Sequence, residues 1–326
     1  MKKRTVLKIL FMISLIEFII IPIRAQTWTS YNKKNSGLAN NKIMSMVIDK
    51  DGNKWFGTYR KGISKFDGNS WITYNKDNSG LVNNTAWGIA IDGKGNKWFV
   101  ANQGMVGGVS KFDGKIWVTY TTANSGLVSN SVWSIGIDRE DNVWIGTTFN
   151  GVSKFDGTNW TTYNHENSGL AGNYITCITI DLQGNKWFGT ENGVSKFDGS
   201  VWKTYNTSNS GMIDNGVHAI TIDSQNQKWI GTYKGLSKFD DTNWITYTST
   251  NSGLVNNSIS KIIIDFQGNI WISTCTKGVS KFDGTNWTTF TSANSGLLDD
   301  YIQNMTIDDQ GNKWFCTWAG VSVLKD

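Results

Sequence analysis

The chain has 326 residues, of which 39% are hydrophobic and 13% aromatic, and its formal net charge is +5. Residues 1–25 contain five basic residues and one acidic residue, so the net charge of the remainder is only +1. A surface that binds nucleic acid is therefore not indicated, because such a surface needs a clear local excess of lysine and arginine.

The chain begins with the features of a secretory signal peptide. Three basic residues at positions 2–4 precede an apolar stretch over residues 9–23, and the small residue Ala25 follows at a suitable cleavage point. An uncleaved membrane anchor is the alternative, but Glu17 and Pro22 keep each apolar run well short of the ~20 residues that span a bilayer. We expect cleavage near Ala25, a periplasmic or secreted protein, and no stable membrane insertion afterwards.

After residue 25, one unit is repeated seven times. The tetrapeptide Asn-Ser-Gly-Leu marks each copy, with methionine in place of leucine in the fifth, and it recurs at intervals of 42–46 residues. Its copies begin at Asn35, Asn78, Asn124, Asn167, Asn209, Asn251 and Asn294. Self-similarity at this period indicates a repeat architecture.

Each unit contains four apolar runs, which we name A to D in chain order. In the third copy they occupy residues 132–138, 143–147, 151–157 and 160–163. The runs are rich in β-branched and aromatic residues and are too short for helices, so they predict β-strands. The Asp-x-x-Gly-Asn and Phe-Asp-Gly segments between them supply residues that tolerate positive φ, as tight hairpins require.

Seven units of four antiparallel strands predict an all-β fold, a seven-bladed β-propeller that forms one domain over residues 26–326. A linear β-solenoid would need shorter turns, of roughly 20 residues or fewer. The segment Trp28–Tyr31 reads as a strand D without a blade, and residues 321–324 read as a strand C without a strand D. We therefore predict that Trp28–Tyr31 completes the last blade and closes the ring.

The unit resembles the two-component regulator propeller repeat. Its pattern, Gly-Leu-x-x-Asn-x-Val-x-x-Ile-x-x-Asp-x-x-Gly-Asn-x-Trp-Ile/Phe-Gly-Thr, can be read at residues 80–98, 126–152 and 169–194. Val100, Ser273 and Cys316 depart from it by replacing the glycine of Gly-Thr. The resemblance implies a propeller and an extracytoplasmic sensor role, since such repeats commonly form the sensors of membrane-bound histidine kinases. Those sensors often have two tandem propellers, whereas we expect one here and no kinase domain.

Three of the 17 tryptophans leave the repeat pattern. The other fourteen lie in strand B or begin strand D, where we expect them to pack between blades. Trp87 and Trp133 lie near the start of strand A, five residues before its aspartate, and Trp318 lies in a turn between strands B and C. If strand A is innermost, all three converge on one mouth of the central channel. The same strand A position holds Met44, Thr176, His218, Ser260 and Gln303 in the other copies.

The turns between strands B and C are the most variable part of the unit. Variable aromatic and polar side chains on loops of a rigid scaffold are typical of binding sites. We therefore predict that this mouth binds a small molecule, a glycan fragment or a partner protein, although solvated turns that have simply diverged would look similar. The candidate site residues are Trp87, Trp133, Trp318, Met44, His218, Gln303, Tyr59, Arg60, Phe149, Glu191, Tyr233, Lys234 and Lys277.

Catalysis has a thinner basis in the sequence. His218 would need an orienting partner to act as a general base, and Glu191 or Asp214 are the candidates, but no motif links them. The repeat style is similar to that of streptogramin B lyases, which use a histidine, a glutamate and magnesium, yet their catalytic motif cannot be matched here. We expect a non-enzymatic monomer without metal or cofactor. A lyase or hydrolase centred on His218 and a scaffolding propeller are the alternatives.

The cysteines do not form the even, regularly spaced set that a disulfide framework requires. Cys177, Cys275 and Cys316 lie in three different copies of the unit. We expect small buried hydrophobic side chains, and a bridge between Cys275 and Cys316 is the alternative.

Overall fold

The computed structural model describes residues 26–104 and 106–325. The predicted signal peptide, residues 1–25, lies outside the described residues. The described chain folds into seven four-stranded antiparallel sheets, which confirms the all-β propeller. No helix among the described residues is long and apolar enough to cross a membrane.

The strands follow one another in chain order within each blade, except at the point where the ring closes. The first strand of the chain is β1 (Thr27–Tyr31). Blade 1 contains β2 (Ile43–Ile48), β3 (Lys54–Thr58), β4 (Ile63–Phe66) and β5 (Trp71–Tyr74). Blade 2 contains β6 (Ala86–Ile91), β7 (Lys97–Gln103), β8 (Val106–Phe112) and β9 (Trp117–Tyr120). Blade 3 contains β10 (Val132–Ile137), β11 (Val143–Thr147), β12 (Val152–Phe155) and β13 (Trp160–Tyr163).

The remaining blades repeat this arrangement. Blade 4 contains β14 (Ile175–Ile180), β15 (Lys186–Thr190), β16 (Gly193–Phe197) and β17 (Trp202–Tyr205). Blade 5 contains β18 (Val217–Ile222), β19 (Lys228–Thr232), β20 (Leu236–Phe239) and β21 (Trp244–Tyr247). Blade 6 contains β22 (Ile259–Ile264), β23 (Ile270–Thr274), β24 (Val279–Phe282) and β25 (Trp287–Phe290). Blade 7 contains β26 (Ile302–Ile307), β27 (Lys313–Thr317) and β28 (Val321–Lys325), followed by β1 as its outer strand.

The ring closes through β1, as the sequence predicted. β1 pairs with β28 in antiparallel register, with Trp28 opposite Leu324 and Tyr31 opposite Val321. The first strands of neighbouring blades contact one another around the whole circle, including β26 with β2. Strand A of every blade therefore lines the central axis, and the two chain ends are held in one sheet.

The aspartate that ends strand A organises the hairpin that follows it. Asp181 accepts hydrogen bonds from the backbone nitrogen of Asn185 at 2.8 Å and from Nε1 of Trp187 at 2.9 Å. In all seven blades the strand B tryptophan donates to this aspartate, at 2.8–3.0 Å. Asp141 and Asn226 occupy the positive-φ position of this turn where other copies have glycine, with φ of 61° and 62°. These aspartates are thus turn residues, as predicted.

The core lies between adjacent blades rather than within any one of them. Trp55 of blade 1 is 2% exposed and packs in one cluster with Phe99 of blade 2, at 6.1 Å between ring centroids. Ion pairs cross the same boundaries: Lys97 Nζ lies 3.5 Å from Asp49 of the preceding blade. The strand B tryptophans lie in this interblade packing, as predicted.

The glycine of Asn-Ser-Gly-Leu is required by a close approach between loops and blades. A Cβ added to Gly126 would overlap Cβ of Trp160, the residue that begins strand D of the next blade in the chain. The other six copies make the same contact, with the last one, Gly296, meeting Trp28. The glycine of the tetrapeptide therefore lets each connecting loop pack closely against a strand D tryptophan.

Candidate functional site

A cavity of about 670 Å³ opens where the strand A residues of all seven blades surround the axis. Its size lies within the range that small-molecule sites occupy in proteins. One feature of the backbone directs side chains into it. In every blade the register between strands A and B shifts by one residue at the same place, which marks a β-bulge.

The bulged residue is the strand A position that the sequence singled out. It is Met44, Trp87, Trp133, Thr176, His218, Ser260 or Gln303, according to the blade, and all seven line the cavity. A bulge leaves its extra residue outside the ladder and re-aims its side chain. The repeated backbone therefore presents seven side chains, of six residue types, to one space.

Two of the off-repeat tryptophans form a single aromatic surface. The rings of Trp87 and Trp133 stack at 4.5 Å between centroids with an interplanar angle of 24°. Tyr174 meets Trp133 edge-on at 5.8 Å. Nε1 of Trp87 donates to the backbone oxygen of Asn102 at 3.1 Å, which holds the first ring in place.

The third off-repeat tryptophan lies apart from this pair. Trp318 packs on Tyr301 at 4.4 Å, and Nζ of Lys42 lies 4.3 Å from its ring centre. It is 41% exposed. Among the described ring contacts, Trp318 has none with Trp87 or Trp133. All three line one cavity, as predicted, but they form two aromatic groups on different blades.

His218 faces the same cavity without a hydrogen-bonded orienting partner among the described residues. Its ring lies 3.9 Å from that of Tyr233, and its Nε2 is buried with no partner. Burial lowers the pKa of His218, and the charge of Asp214 opposes that change. Asp214 itself accepts from Nζ of Lys234 at 3.0 Å, and Glu191 accepts from the backbone nitrogen of Tyr174.

The structure divides the thirteen candidate residues into two sets. Seven line the cavity: Met44, Trp87, Trp133, His218, Tyr233, Gln303 and Trp318. Six lie outside its wall, in the turns around the mouth: Tyr59, Arg60, Phe149, Glu191, Lys234 and Lys277. Phe149, for example, is 69% exposed. The cavity is thus built mainly from strand A rather than from the turns between strands B and C.

Several cavity residues were missing from the candidates predicted from the sequence. Tyr174 and Tyr301 lie two residues before the bulge in blades 4 and 7, and Lys261 and Cys275 line the cavity in blade 6. The two tyrosines could have been predicted from the sequence, since residues two apart on a strand share a face. The sequence indicated Lys261 more weakly, as a lysine at a position where other copies have a small residue or asparagine.

The cysteines are free, so the bridge between Cys275 and Cys316 is not formed. Cys316 is buried, with its sulfur 3.8 Å from that of Met46. Burial raises the pKa of the Cys177 thiol to about 11, which keeps it protonated near neutrality. Within the described residues, no group of three or more His, Cys, Asp or Glu side chains is placed to hold a metal ion.

Comparison with known proteins agrees with the repeat pattern. Three segments, residues 37–60, 126–149 and 253–276, match the family described as two component regulator propeller. These segments are two component regulator propeller repeats. They fall in three of the seven repeat units, in the chain that joins strand D of one blade to strands A and B of the next.

Solved structures share the fold of the repeat array at low identity. The extracellular domain of a putative hybrid two component system from B. thetaiotaomicron matches with a TM-score of 0.77 and 22% identity, over 91% of this chain and 41% of that one. Virginiamycin B lyase from Staphylococcus aureus matches with a TM-score of 0.74 and 14% identity, over 93% and 100%. PorZ, a surface component of the type-IX secretion system of Porphyromonas gingivalis, matches with a TM-score of 0.70 and 16% identity, over 91% of this chain and 48% of that one.

These likenesses establish the propeller architecture. The chain spans about two fifths of the length of the two component system domain. No curated protein matches the chain.

Proposed function

We propose that this chain is an exported, non-enzymatic recognition propeller of the sensor type, which binds a small molecule or glycan fragment at the channel mouth. The observation that carries the proposal is the placement of aromatic rings at the bulged strand A positions of a rigid ring. Flat aromatic faces suit sugar rings and heterocycles, and the cavity volume suits a ligand of that size. A protein segment inserted at the same mouth is the third class of ligand that the geometry accommodates.

Export and the sensor role rest on sequence features together with the comparisons. The apolar stretch that ends before Ala25 favours a cleaved signal peptide and a periplasmic or secreted location. The two component regulator propeller repeats, and the likeness to an extracellular domain of a putative hybrid two component system, support a sensor-type role.

The lyase alternative receives less support from the site. A general base needs a group that orients it. The two carboxylates predicted for that role at His218 bond elsewhere: Asp214 accepts from Lys234, and Glu191 accepts from the backbone of Tyr174. The likeness to a lyase is one of fold at 14% identity, and fold alone does not carry chemistry.

The test is a binding screen of the purified protein with a matched pair of variants. Thermal melting and tryptophan fluorescence are followed against oligosaccharides, peptides, nucleotides and heterocycles. The double variant Trp87→Met, Trp133→Thr replaces both rings with residues that blades 1 and 4 carry at the same bulge. The control is Phe266→Ser, which alters a 70% exposed ring in a turn between strands A and B.

A ligand at 100 times its Kd adds about 2.7 kcal/mol to the free energy of unfolding, a readily measured shift. We expect at least one compound class to produce such a shift in the wild type and in the control, and not in the double variant. No shift with any compound, or a shift that survives in the double variant, would overturn the proposal.

A further inference from the structure

Lys261 lines the central cavity, and its surroundings differ from those of other lysines with little exposure. It belongs to β22 and is the residue directly after the bulge of blade 6. Buried lysines are ordinarily paired with a carboxylate. Among the described residues, buried Lys186 and Lys228 and half-buried Lys97 each lie within 2.7–3.6 Å of an aspartate oxygen.

Among residues 26–104 and 106–325, Lys261 forms no ion pair with a carboxylate. The wall of the cavity contains no aspartate, glutamate or arginine from that part of the chain. The turns and loops around the mouth contain the carboxylates of Glu191, Asp214, Asp299 and Asp300. Asp214 is ion-paired with Lys234 at 3.0 Å, and the other three accept hydrogen bonds from backbone nitrogens. The lumen therefore has one amine and no counter-charge in its wall.

Lys261 lines the cavity on blade 6, and Cys177 lines it on blade 4. Burial raises the pKa of the Cys177 thiol, and the positive charge of Lys261 opposes that change. Burial in turn lowers the pKa of Lys261, and Cys177 opposes that change. An acid group bound next to the amine would favour its charged form.

The residue at this register position lines the cavity in several blades, but its chemistry differs between them. Elsewhere, a small residue such as Ser45 or Ser134 pairs with a glycine on strand B and bonds to the backbone of the next blade. In blade 6 the partner of Lys261 is Ser273. Asn304 occupies the same register position in blade 7, the neighbouring blade, and it also lines the cavity with an amide donor.

We propose that the ligand of this channel bears a carboxylate, which binds to Lys261 and Asn304 in the lumen while its ring lies against Trp87 and Trp133. This inference rests on the proposed function and names the chemical class of its ligand. The aromatic pair is on blades 2 and 3 and the lysine is on blade 6, so a ligand of this kind spans the channel. A charge-assisted hydrogen bond to the half-buried ammonium gives the acid a selective advantage over its neutral analogue.

The test compares acids with neutral analogues of the same shape. Glucuronate is paired with glucose, and indole-3-acetate with indole-3-acetamide, with acetate and inorganic phosphate as separate anions. Binding to the purified protein is measured by tryptophan fluorescence at constant ionic strength. Lys261→Met removes the charge and keeps the length of the side chain. Lys50→Met, in an exposed turn between β2 and β3, makes the same change in net charge.

For at least one pair, we expect the acid to bind at least about tenfold more tightly than the neutral analogue. Lys261→Met should abolish that preference, and Lys50→Met should retain it. The comparison of acid with analogue needs only the wild type, so it stands even where Lys261→Met fails to fold.

Each of four outcomes would overturn the inference. Equal binding of acid and analogue, with both lost in the Trp87→Met, Trp133→Thr variant, would leave the proposed function standing without the anion site. An equal loss in Lys50→Met would show a general charge effect, and phosphate competing as well as the organic acid would remove the assignment to a carboxylate. No binding by any compound would overturn the inference together with the proposed function.

Discussion

Trp87 and Trp133 belong to neighbouring blades, yet their rings stack at 4.5 Å with their backbones at equivalent bulges. Both are half-buried, and neither belongs to the interblade clusters that hold the strand B tryptophans. The stack is a feature of the channel wall and not of the core that stabilises the ring. Its loss should therefore affect recognition far more than folding.

Stability should separate the two kinds of tryptophan. We expect Trp87→Met to lower the free energy of unfolding by less than about 1.5 kcal/mol, since the site is open and blade 1 carries methionine there. Trp98→Met should cost roughly 2–5 kcal/mol, because Trp98 is 2% exposed in the core and its loss leaves a cavity. Urea unfolding of the two variants measures the difference. Equal costs would place Trp87 in the structural core after all.

The glycine of the repeat tetrapeptide should not tolerate a methyl group. Gly126→Ala would drive a Cβ into Cβ of Trp160, and both atoms are attached directly to the backbone, so neither can rotate away. We expect a loss of about 1–3 kcal/mol in the free energy of unfolding.

Gly216→Ala is the matched control for this substitution. The nearest atom to a Cβ at Gly216 is 3.7 Å away, which is an ordinary contact. Chemical denaturation should show little change for this variant. A Gly126→Ala protein as stable as the control would mean that the loop and the Trp160 ring can move apart freely.

The strand A aspartates should make the fold sensitive to acid. Burial by itself raises the pKa of Asp181, but hydrogen bonds from Trp187 and Asn185 more than offset this, so its pKa lies below the usual value. The stability that this carboxylate contributes is therefore present above its unfolded-state pKa, near 3.9, and is lost as the pH falls through the lower folded-state value.

Asp181→Asn removes this titration while nearly keeping the shape of the side chain. We expect a less stable protein at pH 7, and a smaller further loss of stability between about pH 4 and pH 2 than in the wild type. Asp309→Asn, in an exposed turn, is the control of equal charge change. Thermal melting across this pH range checks the prediction, and parallel pH profiles for wild type and Asp181→Asn would contradict it.

Closure of the ring should depend on β1. Deletion of residues 26–31 exposes the edge of β28 and removes Tyr31, whose ring stacks parallel to that of Trp314 at 5.9 Å. We expect the free energy of unfolding to fall by at least about 3–5 kcal/mol, because the deletion removes two half-buried aromatic side chains, Trp28 and Tyr31, with their packing. The exposed edge should also favour aggregation. The free energy of unfolding of Trp28→Ala, measured in urea, should lie between those of the deletion variant and the wild type. A deletion variant as stable as the wild type would show that the ring does not need this strand.

Much of the fold was readable from the sequence for a physical reason. Strands and hairpins depend on residues close together in the chain. The same local pattern occurs in seven copies, so the strand prediction is supported seven times. The number of copies and the unpaired run at Trp28–Tyr31 then determined both the blade count and the closure at β28. The sequence also identified the side of the ring where Trp87, Trp133 and Trp318 lie, because chain direction within a blade places each turn on one face.

Only the tertiary structure decided how the site is assembled. A bulge has no local marker in the sequence. Chain direction placed His218 and the equivalent residues near the mouth, but only the structure shows the bulge that directs their side chains into the channel. The stack of Trp87 on Trp133 joins residues more than 40 positions apart on different blades, and Trp318 lies apart from it on Tyr301. Such contacts depend on the curvature of the closed ring, which is a property of all seven blades together and of no single repeat.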